Sequence, residues 1–338
     1  MKATSHAAGI TTGSVLLRKG PLPYRLSRST LILLALCVLA ALLPVAVPNP
    51  FYLAVANLVL INAVVAISLT LLIGTTGQLS LGHAGFFACG AYLSAYFSGA
   101  KAWPVPVSIL LAVLGTVLLA WCVGRLFLRL SGYYLAVATL GFGLLLGIVL
   151  RNEQGFSGGP DGMSVGPLEV AGRALRGDAA WYWLLLTVLL IVIAVAYNLL
   201  RSPAGRALRA LHDAEIAATT VGVDVQRYKV RIFVLSATLA GLMGALYAHY
   251  AGFITPAAAS FMHSVQYLMM VVVGGIGSIA GAVLGALVVT LLPNLLAGAA
   301  EYETLVIGSV LFATVLFMPR GIVPTLQTWL RVRLARKA

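Results

Sequence analysis

Residues 71–92 read LLIGTTGQLSLGHAGFFACGAY, and they interrupt what would otherwise be a long apolar run. Gly74, Gly77 and Gly82, with Thr75, Thr76, Gln78, Ser80 and His83 among them, fall where a lipid-facing helix would be expected to continue. Apolar sequence resumes on both sides. Non-helical backbone at membrane depth is tolerated only where protein or water satisfies its amides and carbonyls. A membrane chain that breaks its helix here therefore does so for a structural or functional return.

Composition shows that the chain is a membrane protein. Its 338 residues are 61% hydrophobic and only 9% charged, against roughly a quarter charged in soluble domains. Runs such as LILLALCVLAALLPVAV (31–47), LLLTVLLIVIAVAYNLL (184–200) and FVLSATLAGLMGALYA (233–248) approach the ~20 apolar residues of a spanning helix. No segment shows the ~10-residue in/out alternation of an outer-membrane barrel. The expected fold is an all-α polytopic membrane protein of about ten transmembrane helices. The spans are read at 31–48, 52–73, 83–99, 105–124, 133–150, 181–200, 231–250, 261–275, 279–296 and 304–318. The short 261–275 segment is the candidate for a re-entrant half-helix.

The first run follows a basic tail, as a secretory signal would, but no small-residue cleavage site follows it. It reads as an uncleaved first span kinked at Pro44. Cys37, Cys89 and Cys122 are odd in number, scattered and all within expected spans, so they form neither a disulfide framework nor a metal cluster. They read as small buried filler.

The formal net charge of +13 sits in loops and tails, where it reports orientation before nucleic acid. Lys2, Arg18, Lys19, Arg25 and Arg28 place residues 1–30 in the cytoplasm as a basic tail. Arg125 and Arg129, then the 201–230 loop, then Arg320, Arg331, Arg333, Arg336 and Lys337 in a basic tail at 321–338 all fall on that same side. The alternate connections are neutral, acidic or mixed. Residues 31–320 thus read as one transmembrane domain with both termini inside.

The 71–87 stretch has an echo, VVVGGIGSIAGAVLGAL at 271–287. Each has an apolar run, then Gly-x-x-Gly and a polar residue (Gly74, Gly77, Gln78; Gly274, Gly277, Ser278), then a second apolar run. Glycine-interrupted segments in matching positions of two halves are a signature of duplicated transporter folds. Either the breaks form a pathway or gate, or the glycines let helices pack closely. Polar residues inside spans, Asn57, Asn62, Ser68, Thr70, Gln78 and Ser80, are pathway candidates, with hydrogen bonding between helices as the alternative. His83 reads as a packed or helix-capping residue.

Several chemistries have no support. There is no Walker A pattern, no H-E-x-x-H and no Cys/His ligand spacing, so no catalytic or metal-ligating residue is assigned. Ser80 and His83, three apart, lack the company a protease site needs. The spans hold no ionisable residue of the kind that couples proton-driven transport, so energy is expected to come from outside the chain.

The loop RSPAGRALRALHDAEIAATTVGVDVQRYKVR (201–231) starts as a helix with Arg206 and Arg209, passes Asp213, Glu215 and small residues, and stops at Gly222. It resembles the cytoplasmic segment of permease subunits of branched-chain amino acid ABC importers, the LivM type most closely. In the same order along the chain, GQLSLGHAGFFACGAY, YYLAVATLGFG, SGGPDGM, LAGLMGALYA and VVVGGIGSIAGAVLGA resemble that family too, and together they cover about residues 50–320. The resemblance implies a non-enzymatic permease subunit with no cofactor of its own. ATP and Mg would be used by two cytoplasmic ATPase subunits, alongside a second homologous permease and an extracytoplasmic binding protein. It places the ATPase-coupling element at 202–222, with Arg206, Arg209, Asp213, Glu215 and Gly222 as contacts, and lets Asp161 of the SGGPDGM turn meet the binding protein. It leaves branched-chain amino acids, urea and short amides open as cargo, with a self-sufficient secondary transporter or channel as the competing class.

Overall fold

Asn49 accepts a hydrogen bond from the Phe51 amide and Pro50 occupies the first helical position, so the first described helix, α1 (Pro50–Thr76), starts just ahead of the expected span at 52–73. The computed structural model describes residues 49–127, 130, 132–170, 173–175, 177–220, 222–295 and 321–335, with isolated positions at 44, 308, 309, 312, 316 and 318. The expected spans at 31–48 and 304–318 lie outside the described residues, apart from such isolated positions.

Helices α2 (His83–Gly99), α3 (Val105–Phe127), α4 (Tyr133–Asn152), α5 (Gln154–Ser157), α6 (Asp178–Arg201), α7 (Pro203–Asp213), α8 (Glu215–Thr220), α9 (Val225–Ala251), α10 (Phe261–Gly274), α11 (Ile279–Leu295) and α12 (Ile322–Ala335) follow. The eight other expected spans are all helices. Five of them, α1, α3, α4, α6 and α9, are long and apolar enough to cross a membrane, while α2, α10 and α11 are shorter. The described residues do not by themselves establish ten crossings.

At the centre, α2 and α9 lie backbone against backbone. A Cβ on Gly90 would strike the Gly241 carbonyl, and one on Gly244 the Phe87 carbonyl. Small residues permit this approach, the usual basis of helix association where lipid removes the hydrophobic drive. Around the centre, α3, α4 and α6 turn leucine and isoleucine rows outward, such as Leu110, Leu114 and Leu118, or Leu144, Leu145 and Ile148. Those rows match hydrocarbon. Cys122 lies on this outward face of α3, so of the two described cysteines only Cys89 is buried.

Two short antiparallel pairs complete the fold, β1 (Met163–Ser164) with β4 (Phe253–Ile254) and β2 (Glu169–Val170) with β3 (Arg173–Ala174). The first pair anchors the SGGPDGM turn to the chain leaving α9. From there residues 255–260 run back into the bundle through a 3-10 turn before α10 begins. The Ser264 hydroxyl on the first turns of α10 accepts from the Ala84 amide at the start of α2 (3.3 Å). A 14-residue helix is about 21 Å long, less than the ~30 Å hydrocarbon core. The α10 segment is thus a part-length helix entered through non-helical backbone.

Candidate functional site where two glycine breaks meet

Helix α1 ends because Gly77 turns left-handed (φ 66°) and sends its amide back to the Ile73 carbonyl (2.9 Å). Residues 78–82 then climb back into the bundle rather than crossing its surface. The interactions of His83 define how far. Ser236 on α9 gives its one hydroxyl proton to the Ser68 carbonyl (2.7 Å), so it faces His83 as an acceptor. His83 Nε2 therefore carries the ring hydrogen and donates it to Ser236 (2.8 Å), while Nδ1 accepts from the Ser80 hydroxyl (3.0 Å). Ser68 lies eight residues before the end of α1 (Thr76), so the start of α2 sits about 12 Å inside that end.

The amides exposed by the break find side-chain acceptors. The Leu81 amide donates to Thr139 Oγ1 on α4 (3.1 Å), and the Gly82 amide reaches Ser80 Oγ (3.5 Å). Gly82 also lies against α4, where a Cβ would come within 2.5 Å of the Thr139 carbonyl. Three helices thus supply hydroxyls to the first break: Thr139 from α4, Ser236 from α9 and Ser264 from α10.

The second break follows α10. Gly275 and Gly277 adopt φ of 115° and 79°, and Ser278 caps α11 by accepting from the Gly281 amide (3.0 Å). The two breaks touch: a Cβ on Gly74 would lie 2.5 Å from the Cα of Gly277. The sequence echo is therefore a spatial pair, with both first arms, α1 and α10, ending at the same end of the bundle.

Each break has a helix beneath it. Ser202 caps α7, and Leu208 and Leu211 bury its apolar face while Arg206 and Arg209 point outward. His212 on α7 lies beside Gly77, whose Cβ would be 3.6 Å from Nδ1. Under the second break, Gly321 packs on Gly275, and Val323 of α12 is buried with Ala280. The expected C-terminal tail therefore begins as a packed helix.

The structure brings Gly74, Gly77, Gln78, Ser80, Gly274 and Gly277 together at this end. It does not bring in Asn57 or Asn62. Asn57 lies about 28 Å back along α1, donating to the Asp178 carbonyl (3.0 Å), and Asn62 donates to Thr290 Oγ1 (2.9 Å). Gln78 Oε1 and Thr70 Oγ1 are buried without a partner among the described residues. Asp161 is exposed at the opposite end of the bundle.

The loop after α6 differs from a single helix ending at Gly222. Ala214 is extended (φ −157°, ψ 94°) and divides α7 from α8. Arg206 and Arg209 are on α7, Asp213 is its last residue, and Gly222 follows α8. Glu215 is not a free contact, because it pairs with Lys229 on α9 at 2.7 Å. The residue that sequence reasoning passed over is Ile216, 84% exposed on α8. An isolated isoleucine inside AEIAATT carries no periodic signal. The hub Ser236 was equally silent, since a lone serine in an apolar span does not announce the ring it meets.

A family profile described as "Branched-chain amino acid transport system / permease component" matches residues 51–315. The chain is 33% identical over 328 residues to the high-affinity branched-chain amino acid transport system permease protein LivM of Escherichia coli, covering 87% of this chain and 76% of that protein. To the corresponding permease protein LivH of Salmonella typhimurium it is 26% identical over 282 residues, covering 77% of this chain and 90% of the relative. No solved structure gives a significant match.

Proposed function

The chain belongs to the family of permease components of branched-chain amino acid transport systems, and from that premise we propose that it is the membrane-spanning subunit of an ATP-driven importer for branched-chain or related hydrophobic amino acids. The observation that carries the reading is the meeting of Gly74 with Gly277 directly above α7. A helix whose apolar face grips the bundle and whose arginine face points away is built to receive a soluble partner. Through His212 beside Gly77 it stands next to the break, so a push on α7 reaches the glycine pair within one side chain.

In this reading the α7–α8 end faces the cytoplasm of a bacterial cell, in agreement with the basic loops. Two ATPase subunits dock there, with Arg206, Arg209 and Ile216 as contacts, and Asp213 and Gly222 shaping the hairpin. Glu215 holds α8 to α9. A second homologous permease completes the membrane unit, as the similarity to both LivM and LivH supports. Asp161 at the other end is placed for an extracytoplasmic binding protein. The paired breaks form the gate, and Thr70 and Gln78 offer it polar atoms with no partner among the described residues.

The test is reconstitution of the chain with its partner permease, ATPases and binding protein in proteoliposomes, measuring leucine uptake. Uptake that needs ATP and all partners is the expected result; leucine uptake by this chain alone would overturn the reading. Arg206→Glu with Arg209→Glu should reduce ATPase recovery on a tagged permease, as should Ile216→Asp. Full recovery in both variants would remove α7 and α8 from the docking surface.

A further inference from the structure

On the side of α9 turned away from α8, a second feature has no place in the gate. A cavity of about 700 Å³ opens between the ends of α3 and α9, lined by Trp121, Arg125, Asp224, Arg227 and Arg231, with Val234 at its inner end. Arg227, Arg231 and Val234 recur at helical spacing on one face of α9, while Lys229 points elsewhere, to Glu215. On α3, Trp121 and Arg125 are one turn apart, and the guanidinium lies over the indole at 5.4 Å.

The charge in this cavity is unbalanced. Asp224 is the one acid lining it, and it is already used: its carboxylate accepts from the Arg227 amide as the cap of α9 and pairs with the Arg227 side chain at 2.9 Å. Arg125 and Arg231 have no carboxylate partner among the described residues. Among the described residues, two cations therefore face the cavity with no acid of their own opposite them. The surroundings say what kind of anion fits. Leu114 and Leu118 are exposed and climb α3 away from Arg125, and Leu126 flanks it, so an apolar surface runs continuously from the arginines. Trp121, 45% exposed, stands between the two zones, the place tryptophan takes at a membrane interface.

We propose that this cavity binds the phosphate headgroup of an anionic phospholipid of the cytoplasmic leaflet, with Arg125 and Arg231 holding the phosphate and the acyl chains lying along Leu118 and Leu114. Basic pockets between helices on the cytoplasmic side suit such headgroups. A free phosphate or nucleotide would meet the same arginines but make no use of the leucine row. The proposal rests on the orientation given above; its test does not depend on transport.

The full chain is purified in mild detergent and titrated with phosphatidylglycerol or phosphatidylcholine, and bound lipid is counted by native mass spectrometry. Phosphatidylglycerol should bind in preference, and Arg125→Gln with Arg231→Gln should weaken it about thirtyfold, at roughly one kcal/mol per arginine. Arg125→Lys with Arg231→Lys should keep most of the binding, which guards against a folding effect. Millimolar inorganic phosphate should not displace the lipid. Equal binding of the two lipids, unchanged binding in the glutamine variant, or displacement by inorganic phosphate would each overturn the proposal.

Discussion

The two breaks share a sequence pattern but are held in opposite ways. The first, 77–82, is held by hydroxyls: Thr139, Ser236 and Ser264 reach in from three helices, and His83 links Ser80 to Ser236. The second, 275–278, is held by contact, glycine backbone packed on glycine backbone, with Ser278 as its one side-chain hydrogen-bond support among the described residues. Length explains the difference. Six residues leave more amides to satisfy than four, and in hydrocarbon each must find a partner. Two breaks of like pattern thus share their glycine turns and differ in what immobilises them. The polar clamp fixes the first break to the core, which leaves the second as the arm with fewer bonds to lose.

The contact that joins the breaks is the most sensitive place to test this. Gly74 is helical but has no room, whereas Gly277 has room but holds φ at 79°. Gly74→Ala puts a methyl into the Gly277 backbone, an overpacking cost of about 3 kcal/mol that separates the breaks. Gly277→Ala costs only about 1 kcal/mol of left-handed strain. In the proposed importer, ATP-driven leucine uptake should therefore fall by more than tenfold in the first variant, at about 1.4 kcal/mol per decade, and clearly less in the second. Equal losses would mean that the two glycines do not act through their mutual contact.

Ser236→Ala comes next. It leaves the His83 Nε2 hydrogen without an acceptor in a buried site, which costs about 1–3 kcal/mol. Ser80→Ala removes the other arm of the ring and also the 3.5 Å acceptor of the Gly82 amide, so it should cost about as much. Thermal unfolding of the purified chain in detergent reads both. Either variant as stable as the parent would show that its serine does not hold the ring.

What the sequence disclosed and what it hid divide along the same line. The glycine breaks at 74–77 and 274–277 were legible because local chemistry makes them, whereas the starts at Asn49–Pro50 and Ser202–Pro203 emerged with the caps in the structure. The echo was legible as a pattern, and the meeting of Gly74 with Gly277 gave it spatial meaning. The clamp was not, since Ser80 and Ser236 are 156 residues apart (236 − 80) and only tertiary packing brings them to one imidazole. The division of the 202–222 element at Ala214 was hidden too, because neither glycine nor proline marks it. Asn57 and Asn62 look alike in sequence to Gln78, yet each donates to a neighbouring helix well back along α1, whereas Gln78 stands at the first break itself.

The smallest expected effect isolates the weaker hold on the second break. Ser278 Oγ accepts from the Gly281 amide, and the Ser278 carbonyl takes the Ala282 amide. Ser278→Ala removes only the first bond, about 1 kcal/mol for a helix cap, and the backbone bond stays. A loss of that size is small in a bundle of this burial, so it should scarcely move the unfolding temperature. It falls, however, on the break with no second side-chain hydrogen bond among the described residues, so opening there should show it. Hydrogen exchange at 275–282 should quicken about fivefold, with exchange at 78–84 unchanged behind its own hydroxyls. If both segments quickened together, the breaks would open as one unit, and the polar clamp would be fixing the pair rather than the first break alone.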